Sequence, residues 1–345
     1  MENTHKQKVT LKDLERYTGL SVATISRALN NTGYVSDENR KLILEAQLEL
    51  GYVPQKHRSG MSSLPNTVLL ILPDNKTPFW FEFMRGVQDI CKKYEYFTAL
   101  YFVAPDENEA RTILKVSSTI KVRGCIVVTL NANSHLSLAM TQLELPRVLC
   151  AAHRIDNDDA ISRNYDCISV DSQKGTYLST SHLAETGRKR IAFLGLNDSV
   201  TGTQRLQGYQ AALHVHGLEV HKELISLRPE PECYENGYEF IMACAKNDCI
   251  PDGVCAVNDK TALGVMQACR QLGIKIPDQL GLVGMDNTDY ATSVTPTLSS
   301  VDLAPYDLGR FSAQRLFHRM RDPNDLFRNT VLEPNLNIRE SSAGL

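Results

Sequence analysis

No stretch of the 345 residues is apolar over anything like the ~20 positions that a membrane-spanning helix needs. The amino end, Met1-Glu2-Asn3-Thr4-His5-Lys6, is polar where a signal peptide carries a hydrophobic run. Together these absences exclude a membrane partner and argue against an exported solute-binding protein. The nine cysteines are scattered with no C-x-x-C pair, a pattern that fits reduced, mostly buried thiols in the cytoplasm and not a disulfide framework. G-x-G-x-x-G, the Walker loop and G-x-S-x-G are all missing, which removes the commonest dinucleotide, nucleotide and serine-hydrolase chemistries. His214, His216 and His221 lie close together near a helix end, but no Cys or carboxylate completes a ligand set, so no metal and no cofactor is expected. Ser, His and Asp are plentiful, yet none is arranged as a nucleophile with its base, and an enzyme is not expected. A heptad tail of the kind that builds tetramers is absent after Asn335–Arg339.

Charge is also nearly balanced, with a net −3 that excludes a generic polyanion binder. Its distribution is uneven. Residues 1–60 hold 9 Lys and Arg against 7 Asp and Glu, whereas the remainder holds 28 against 33. A weakly basic end on an acidic body suits a chain that meets nucleic acid with one end only. The length calls for two to three domains, and 42% hydrophobic residues can supply their cores.

The basic end begins with Thr10-Leu11-Lys12-Asp13, a cap followed by an acid three residues on. Leu11, Leu14 and Tyr17 form the apolar side of that first helix. Thr18-Gly19-Leu20 makes a short turn, and Ser21 then caps a second helix, Ser21-Val22-Ala23-Thr24-Ile25-Ser26-Arg27-Ala28-Leu29-Asn30. Val22, Ile25 and Leu29 form its apolar stripe. Ala23, Thr24, Arg27 and Asn30 lie opposite, giving a slim hydroxylic and cationic edge. Such an edge enters a DNA major groove, where Arg is the usual bidentate reader of guanine, and Val22 at its border can touch a thymine methyl. Ser36 caps a third helix whose buried side is Leu42, Ile43, Ala46 and Leu50, and Gly51 and Pro54 end it. Helix, glycine turn and capped cationic helix make a helix-turn-helix.

Thr10 to Pro54 resembles the headpiece of the lactose-repressor family of bacterial transcription regulators, through Ser21–Asn30 and Gly51-Tyr52-Val53-Pro54. The resemblance implies base contacts from Val22, Ala23 and Arg27, and phosphate contacts from Ser21, Thr24, Ser26 and Asn30. Glu15 departs from the Ala usual at the contact of the first two helices; its stem can pack there while its head reaches water. Residues 55–66 form a polar, cationic hinge or linker. In the family this segment becomes a short helix on the operator and wedges a side chain into the minor groove, a place that falls on Met61. Gly60 disfavours that helix, and a flexible linker with Lys56 and Arg58 on phosphates is the alternative.

From Thr67 the pattern alternates. Strands are expected at Thr67–Leu72, Phe97–Val103, Gly124–Thr129 and Arg147–Ala151, with helices at Phe79–Tyr94, Glu107–Thr119 and Asn133–Leu143. A second series begins with a strand at Cys167–Val170 and a helix at Gln173–Gly187. Strands at Arg190–Leu196, Leu224–Leu227, Gly253–Val257 and Gly281–Met285 then alternate with helices at Gln204–His216, Glu235–Lys246 and Lys260–Leu272. This predicts a small all-α helix-turn-helix headpiece (residues 1–54) and an α/β body (67–345) of two doubly wound parallel-sheet subdomains. The first would take about 67–165 and 298–325, and the second about 166–295 and 326–345. Ligands of such folds bind beyond the carboxyl ends of the strands, here in the cleft between the halves.

Family motifs recur through the body: Leu72-Pro73-Asp74 with Pro78-Phe79-Trp80-Phe81, Arg205-Leu206-Gln207-Gly208-Tyr209, Val257-Asn258-Asp259, and Gly281-Leu282-Val283-Gly284-Met285-Asp286. The resemblance thus covers nearly the whole chain, and implies a periplasmic-binding-protein-like body with effector contacts from Phe79, Trp80, Thr201, Arg205, Asn258 and Asp286. Their chemistry suits a polar ring compound: aromatic faces, a guanidinium fork, an amide and a carboxylate. Core packing competes for Trp80 and Phe81, and helix capping for Arg205, Asn258 and Asp286. Thr77 stands where the family commonly has Asn, Ala151-Ala152-His153 where it has an Asp, and Glu232 near a usual aromatic, so a standard hexose is not implied. The expected protein is a cytoplasmic, nucleoid-associated homodimer. It would read a pseudo-palindromic double-stranded DNA operator, most simply as a repressor, under a sugar or related small-molecule effector. A cytosolic solute-binding module and a sugar- or nucleoside-acting enzyme, each with a vestigial headpiece, are the alternatives.

Overall fold

The computed structural model of the chain describes residues 9–30, 33–52, 66–74, 77–104, 107–130, 134–155, 164–197, 199–228 and 234–343. Met61, with the linker up to residue 65, and Glu232 lie outside the described residues.

Three helices open the chain: α1 (Leu11–Thr18), α2 (Val22–Asn30) and α3 (Asp37–Leu50). Each start is set by a side chain that meets orphan backbone donors. The Asp13 carboxylate accepts from Thr10 N–H at 2.8 Å and from its hydroxyl at 2.7 Å. Ser21 Oγ accepts from Thr24 N at 3.3 Å, and Ser36 Oγ from Asn39 N at 3.4 Å. Gly19 and Gly51 close α1 and α3 at φ +70°, the left-handed region open to glycine. Leu14, Ile25, Ala28, Val35, Ile43, Ala46 and Tyr52 form a small separate core. The Glu15 head does more than reach water: its Oε1 accepts from Val22 N at 3.2 Å, placing a negative charge at the start of α2.

The body is two six-stranded sheets. The first has the order β11-β5-β4-β3-β1-β2, with β1 (Thr67–Pro73), β2 (Phe97–Val103), β3 (Gly124–Thr129), β4 (Arg147–Ala151), β5 (Asp166–Val170) and β11 (Asn329–Leu332). All its pairings are parallel. Helices α4 (Pro78–Lys93) and α12 (Pro305–Arg321) cover one face, and α5 (Glu109–Thr119) and α6 (Ser134–Gln142) the other. The strand period of two divides β1 accordingly, with Val68, Leu70 and Leu72 toward α4 and α12, and Leu69 and Ile71 toward α5 and α6. The second sheet has the order β12-β10-β9-β8-β6-β7, with β6 (Ile191–Leu196), β7 (Ile225–Arg228), β8 (Gly253–Ala256), β9 (Gly281–Met285), β10 (Ser299–Asp302) and β12 (Asn335–Asn337). It packs between α7 (Ser172–Glu185) with α8 (Val200–Val215) and α9 (Tyr234–Lys246) with α10 (Asp259–Leu272); the short α11 (Asp289–Ser293) follows β9. Only β12 runs antiparallel to its neighbour.

The lobe boundaries differ from those expected. β5 completes the first sheet instead of opening the second, β10 belongs to the second sheet instead of returning to the first, and β11 lies in the first instead of the second. The reason is a buried charge at the head of β5. Asp166, with no exposed surface, accepts from Arg315 Nε at 2.6 Å, Arg319 Nε at 2.8 Å and Arg328 N at 2.9 Å. A buried carboxylate is tolerated only with such partners. They come from α12 and the approach to β11, so β5 is held in the lobe that carries both. The chain therefore passes between lobes at 170–171, 302–305 and 332–335. A second difference is that α8 starts at Val200, four residues before the expected Gln204, because Ser199 Oγ accepts from Gly202 N at 3.0 Å. Thr201 and Arg205 thus share one helical face.

Helices α7 and α8 lie in close contact. A Cβ on Gly208 would fall 2.1 Å from Gln173 O. Gly208→Ala is expected to force the two helices apart and lower stability by ~1–3 kcal/mol, the usual cost of overpacking. Thermal denaturation of the full chain measures it, and an unchanged midpoint would contradict the packing described.

Candidate functional site

Two groups of the expected residues are held at opposite ends of the first lobe. On α2, Ile25 and Ala28 are fully buried while Ser21, Ala23 and Arg27 are exposed, and Val22, Thr24 and Ser26 are half-buried. The apolar stripe faces α1 and α3, which leaves the hydroxylic, cationic edge turned outward. Ser21 Oγ lies 3.0 Å from Thr24 Oγ1, and Arg27 Nε donates to Ala23 O at 3.3 Å, so this edge is ordered by its own helix. The side chain of Asn30, like Met61, lies outside the described residues. The headpiece leans on the body through α3. Leu48 packs with the core under α6, and Gln142 Nε2 donates to Leu48 O at 2.8 Å.

The second group meets between the lobes. Phe79, Trp80, Thr201, Arg205 and Asp286 line one cleft, joined by Thr77, Leu130, Ala152, Leu196 and Leu303. Phe79 and Trp80 stand in the first turn of α4, where Pro78 fixes the start, and Phe81, beside them, points out and is 65% exposed. The Trp80 indole is held edge-on between Phe79 (4.7 Å, 88°) and Phe83 (5.9 Å, 83°) and is 4% exposed. Its Nε1 is buried and has no hydrogen-bond acceptor among the described residues. Arg205, on the first turns of α8, donates from Nη1 to Val257 O at 3.1 Å. Asp286 follows β9 at φ +93°, a conformation that a non-glycine residue rarely adopts and that marks functional sites. Asn258 caps α10, its Oδ1 accepting from Thr261 N at 2.8 Å, and is not among the residues that line the closed cleft. The free space enclosed is about 30 Å³. That is the scale of ordered water and far below the ~300–1,000 Å³ of usual small-molecule sites.

Beneath the cleft is a group of acids. Burial pushes Asp286 up to about 7, with Asp259 and Asp302 adding to the rise and Arg205 opposing it. Burial also raises Asp259, to about 6, although Ser300 Oγ (2.5 Å), Thr288 N (2.6 Å) and Thr288 Oγ1 (2.8 Å) all donate to it.

The residues that tie the lobes together carried little signal in the chain. Gln204 brackets the backbone of Arg154, accepting from its N–H at 3.0 Å and donating to its carbonyl at 2.9 Å. Thr201 Oγ1 donates to Leu130 O at 2.8 Å, so His153 Nδ1, 3.2 Å away, is the donor to Thr201. Arg154 Nη1 pairs with Asp171 Oδ2 at 3.0 Å. The first two turns of α8 in the second lobe thus grip the carboxyl ends of β3 and β4 in the first. Gln204 follows Thr201 at i+3, a spacing with meaning only once α8 is known to begin at Val200.

Residues 10–55 match the family described as bacterial regulatory proteins, lacI family, and residues 180–342 match the periplasmic binding protein-like domain. The chain is 30% identical over 338 residues to the HTH-type transcriptional regulator RegA of Clostridium saccharobutylicum, covering 96% of this chain and 99% of that protein. It is 28% identical over 334 residues to the ribose operon repressor of Haemophilus influenzae, covering 96% and 98%. Among solved structures, the transcriptional regulator CelR in complex with cellobiose matches with a TM-score of 0.74 and 25% identity, over 97% of this chain and 100% of that one.

The raised Asp286 gives a signed pH dependence. A carboxyl that holds its proton more tightly when folded costs stability as pH climbs from the unfolded value of about 4 through about 7. Asp286→Asn, always neutral, is expected to raise the thermal midpoint at pH 8 and change it little at pH 5. Equal shifts at both would contradict the buried, raised carboxyl.

Proposed function

The chain belongs to the lacI family of bacterial regulatory proteins, and we propose that it represses transcription from a two-fold operator, with α2 as the DNA-reading element and the inter-lobe cleft as the effector site. The observation that carries this is the combination of an outward polar edge on α2 with a hinged body behind it. Val22, Ala23 and Arg27 would meet base edges, and Ser21, Thr24, Ser26 and Asn30 phosphates. Met61 would meet the minor groove. Residues 1–54 act as the headpiece and 55–66 as the hinge. Such a protein works on the nucleoid in the cytoplasm; none of the described helices is long and apolar enough to cross a membrane.

The effector is a sugar or related metabolite, in keeping with relatives named for ribose and cellobiose. Its entry has to part Thr201 and Gln204 from Leu130, His153 and Arg154, because the closed cleft has too little room for a sugar ring. The lobe angle then changes, and with it the separation of the two headpieces of a dimer.

Dimerisation is supported by an apolar strip on the first lobe. β2 is an edge strand, with Leu100 (49%) and Phe102 (46%) exposed on one face and Phe97 (75%) exposed at its start.

Arg27→Ala is expected to cost ~1–3 kcal/mol on operator DNA and to relax the preference at one base pair. Titrations against operator and scrambled duplexes test this, and equal loss on both would argue against base reading. Phe97→Glu is expected to shift the protein toward monomer in sedimentation and to weaken operator binding. A dimer of unchanged stability would move the interface elsewhere.

A further inference from the structure

We propose that the effector carries a carboxylate, held by the Trp80 indole N–H and the Arg205 guanidinium, with Asp286 as a third partner. This deepens the assignment of the cleft as the effector site and rests on it.

Among the described side chains, the cleft sets an indole N–H and a guanidinium against a single carboxylate. Trp80 brings a buried N–H without an acceptor among the described residues, and a donor without an acceptor is unfavourable unless an incoming group supplies one. Arg205 brings a fork of donors and no acceptor. The hydroxyl of Thr201 already donates to Leu130 O, and Val257 O already accepts from Arg205. Ala152 contributes no polar side-chain atom. Every hydroxyl of a neutral sugar carries a proton that wants an acceptor, and among the described residues Asp286 is the one carboxylate that lines the cleft. A carboxylate has no such need. It takes two to four donors and matches the guanidinium geometry. Asp286 then fits as well, since a carboxyl raised to about 7 can donate its proton to an anion beside it. Leu196 and Leu303 complete the walls, so the body of the ligand has few hydroxyl groups on the faces they cover.

Trp80 is the only tryptophan of the chain, so its fluorescence reports the cleft directly. The full-length protein is titrated with three matched pairs: D-ribose and D-ribonate, cellobiose and cellobionate, benzyl alcohol and benzoate. The acid of at least one pair is expected to bind roughly tenfold more tightly than its neutral mate, with no neutral member preferred. By calorimetry, Trp80→Phe, which keeps an aromatic face and removes the N–H, weakens that acid about fivefold or more while leaving its neutral mate little changed. Affinity for the acid rises as pH falls from 8 to 6. Arg205 of α8, Asp259 of α10, Asp302 of β10 and His153 after β4 also face this region, so Asp286→Asn assigns the effect: it flattens the pH dependence and keeps acid binding at pH 8. Neutral members binding as tightly in every pair, or Trp80→Phe leaving acid affinity unchanged, would overturn the proposal and leave the cleft as the effector site. If none of the six compounds alters Trp80 fluorescence or the thermal midpoint, the effector-site assignment falls with it.

Discussion

Neither sheet of the body is complete without strands that arrive from the far end of the chain. β11 joins the first sheet and β10 and β12 the second, after all the other strands have been laid down. The three connections that result lie side by side at one edge of the cleft. Three short connections at one edge favour hinge closure over separation of the lobes. The ion pairs of Asp166 with Arg315 and Arg319 hold one end of those straps in the first lobe. They join β5 to α12 in a place closed to solvent, where loss of either partner would leave an unpaired buried charge.

Given a pivot, whatever lies at its open side acts with leverage. The contacts there are few and directional: an amide bracketing a peptide unit, a threonine hydroxyl on a strand-end carbonyl, and a histidine behind it. These hydrogen bonds are directional, and each adds only about 1 kcal/mol to closure. The carboxyls of Asp259 and Asp286 lie directly below and are raised by burial. Closing the cleft removes water from the same groups that a ligand must satisfy, which links lobe angle to ligand chemistry through desolvation.

The headpiece shows the reverse arrangement. Its core of seven buried residues is only large enough to hold three short helices, and α2 gives that core just Ile25 and Ala28 as fully buried positions. A helix secured by so narrow a stripe keeps most of its circumference free for another surface. Its docking on the body runs through Leu48 and Gln142 and leaves Ser21, Ala23 and Arg27 exposed.

Much of this was legible in the chain, because its signals are local. Ser21, Ser36, Gly19 and Gly51 state their helix ends within one turn, and apolar runs such as Val68–Leu72 and Cys125–Val128 can be little other than buried parallel strands. The element order, and the gathering of Phe79, Trp80, Thr201, Arg205 and Asp286 past strand ends, followed from those signals together with resemblance. Lobe membership did not, since a strand carries no mark of which sheet it will join. Asp166 sends β5 to the first sheet through arginines about 150 residues away. The role of Asn258 as a cap, the grip of Gln204 on Arg154 and the raised carboxyl of Asp286 are likewise properties of neighbours brought together only by folding. Periodicity and capping act over one to four residues and are written in sequence; pairing partners, burial and electrostatic environment depend on distance in space, and only the tertiary structure decides them.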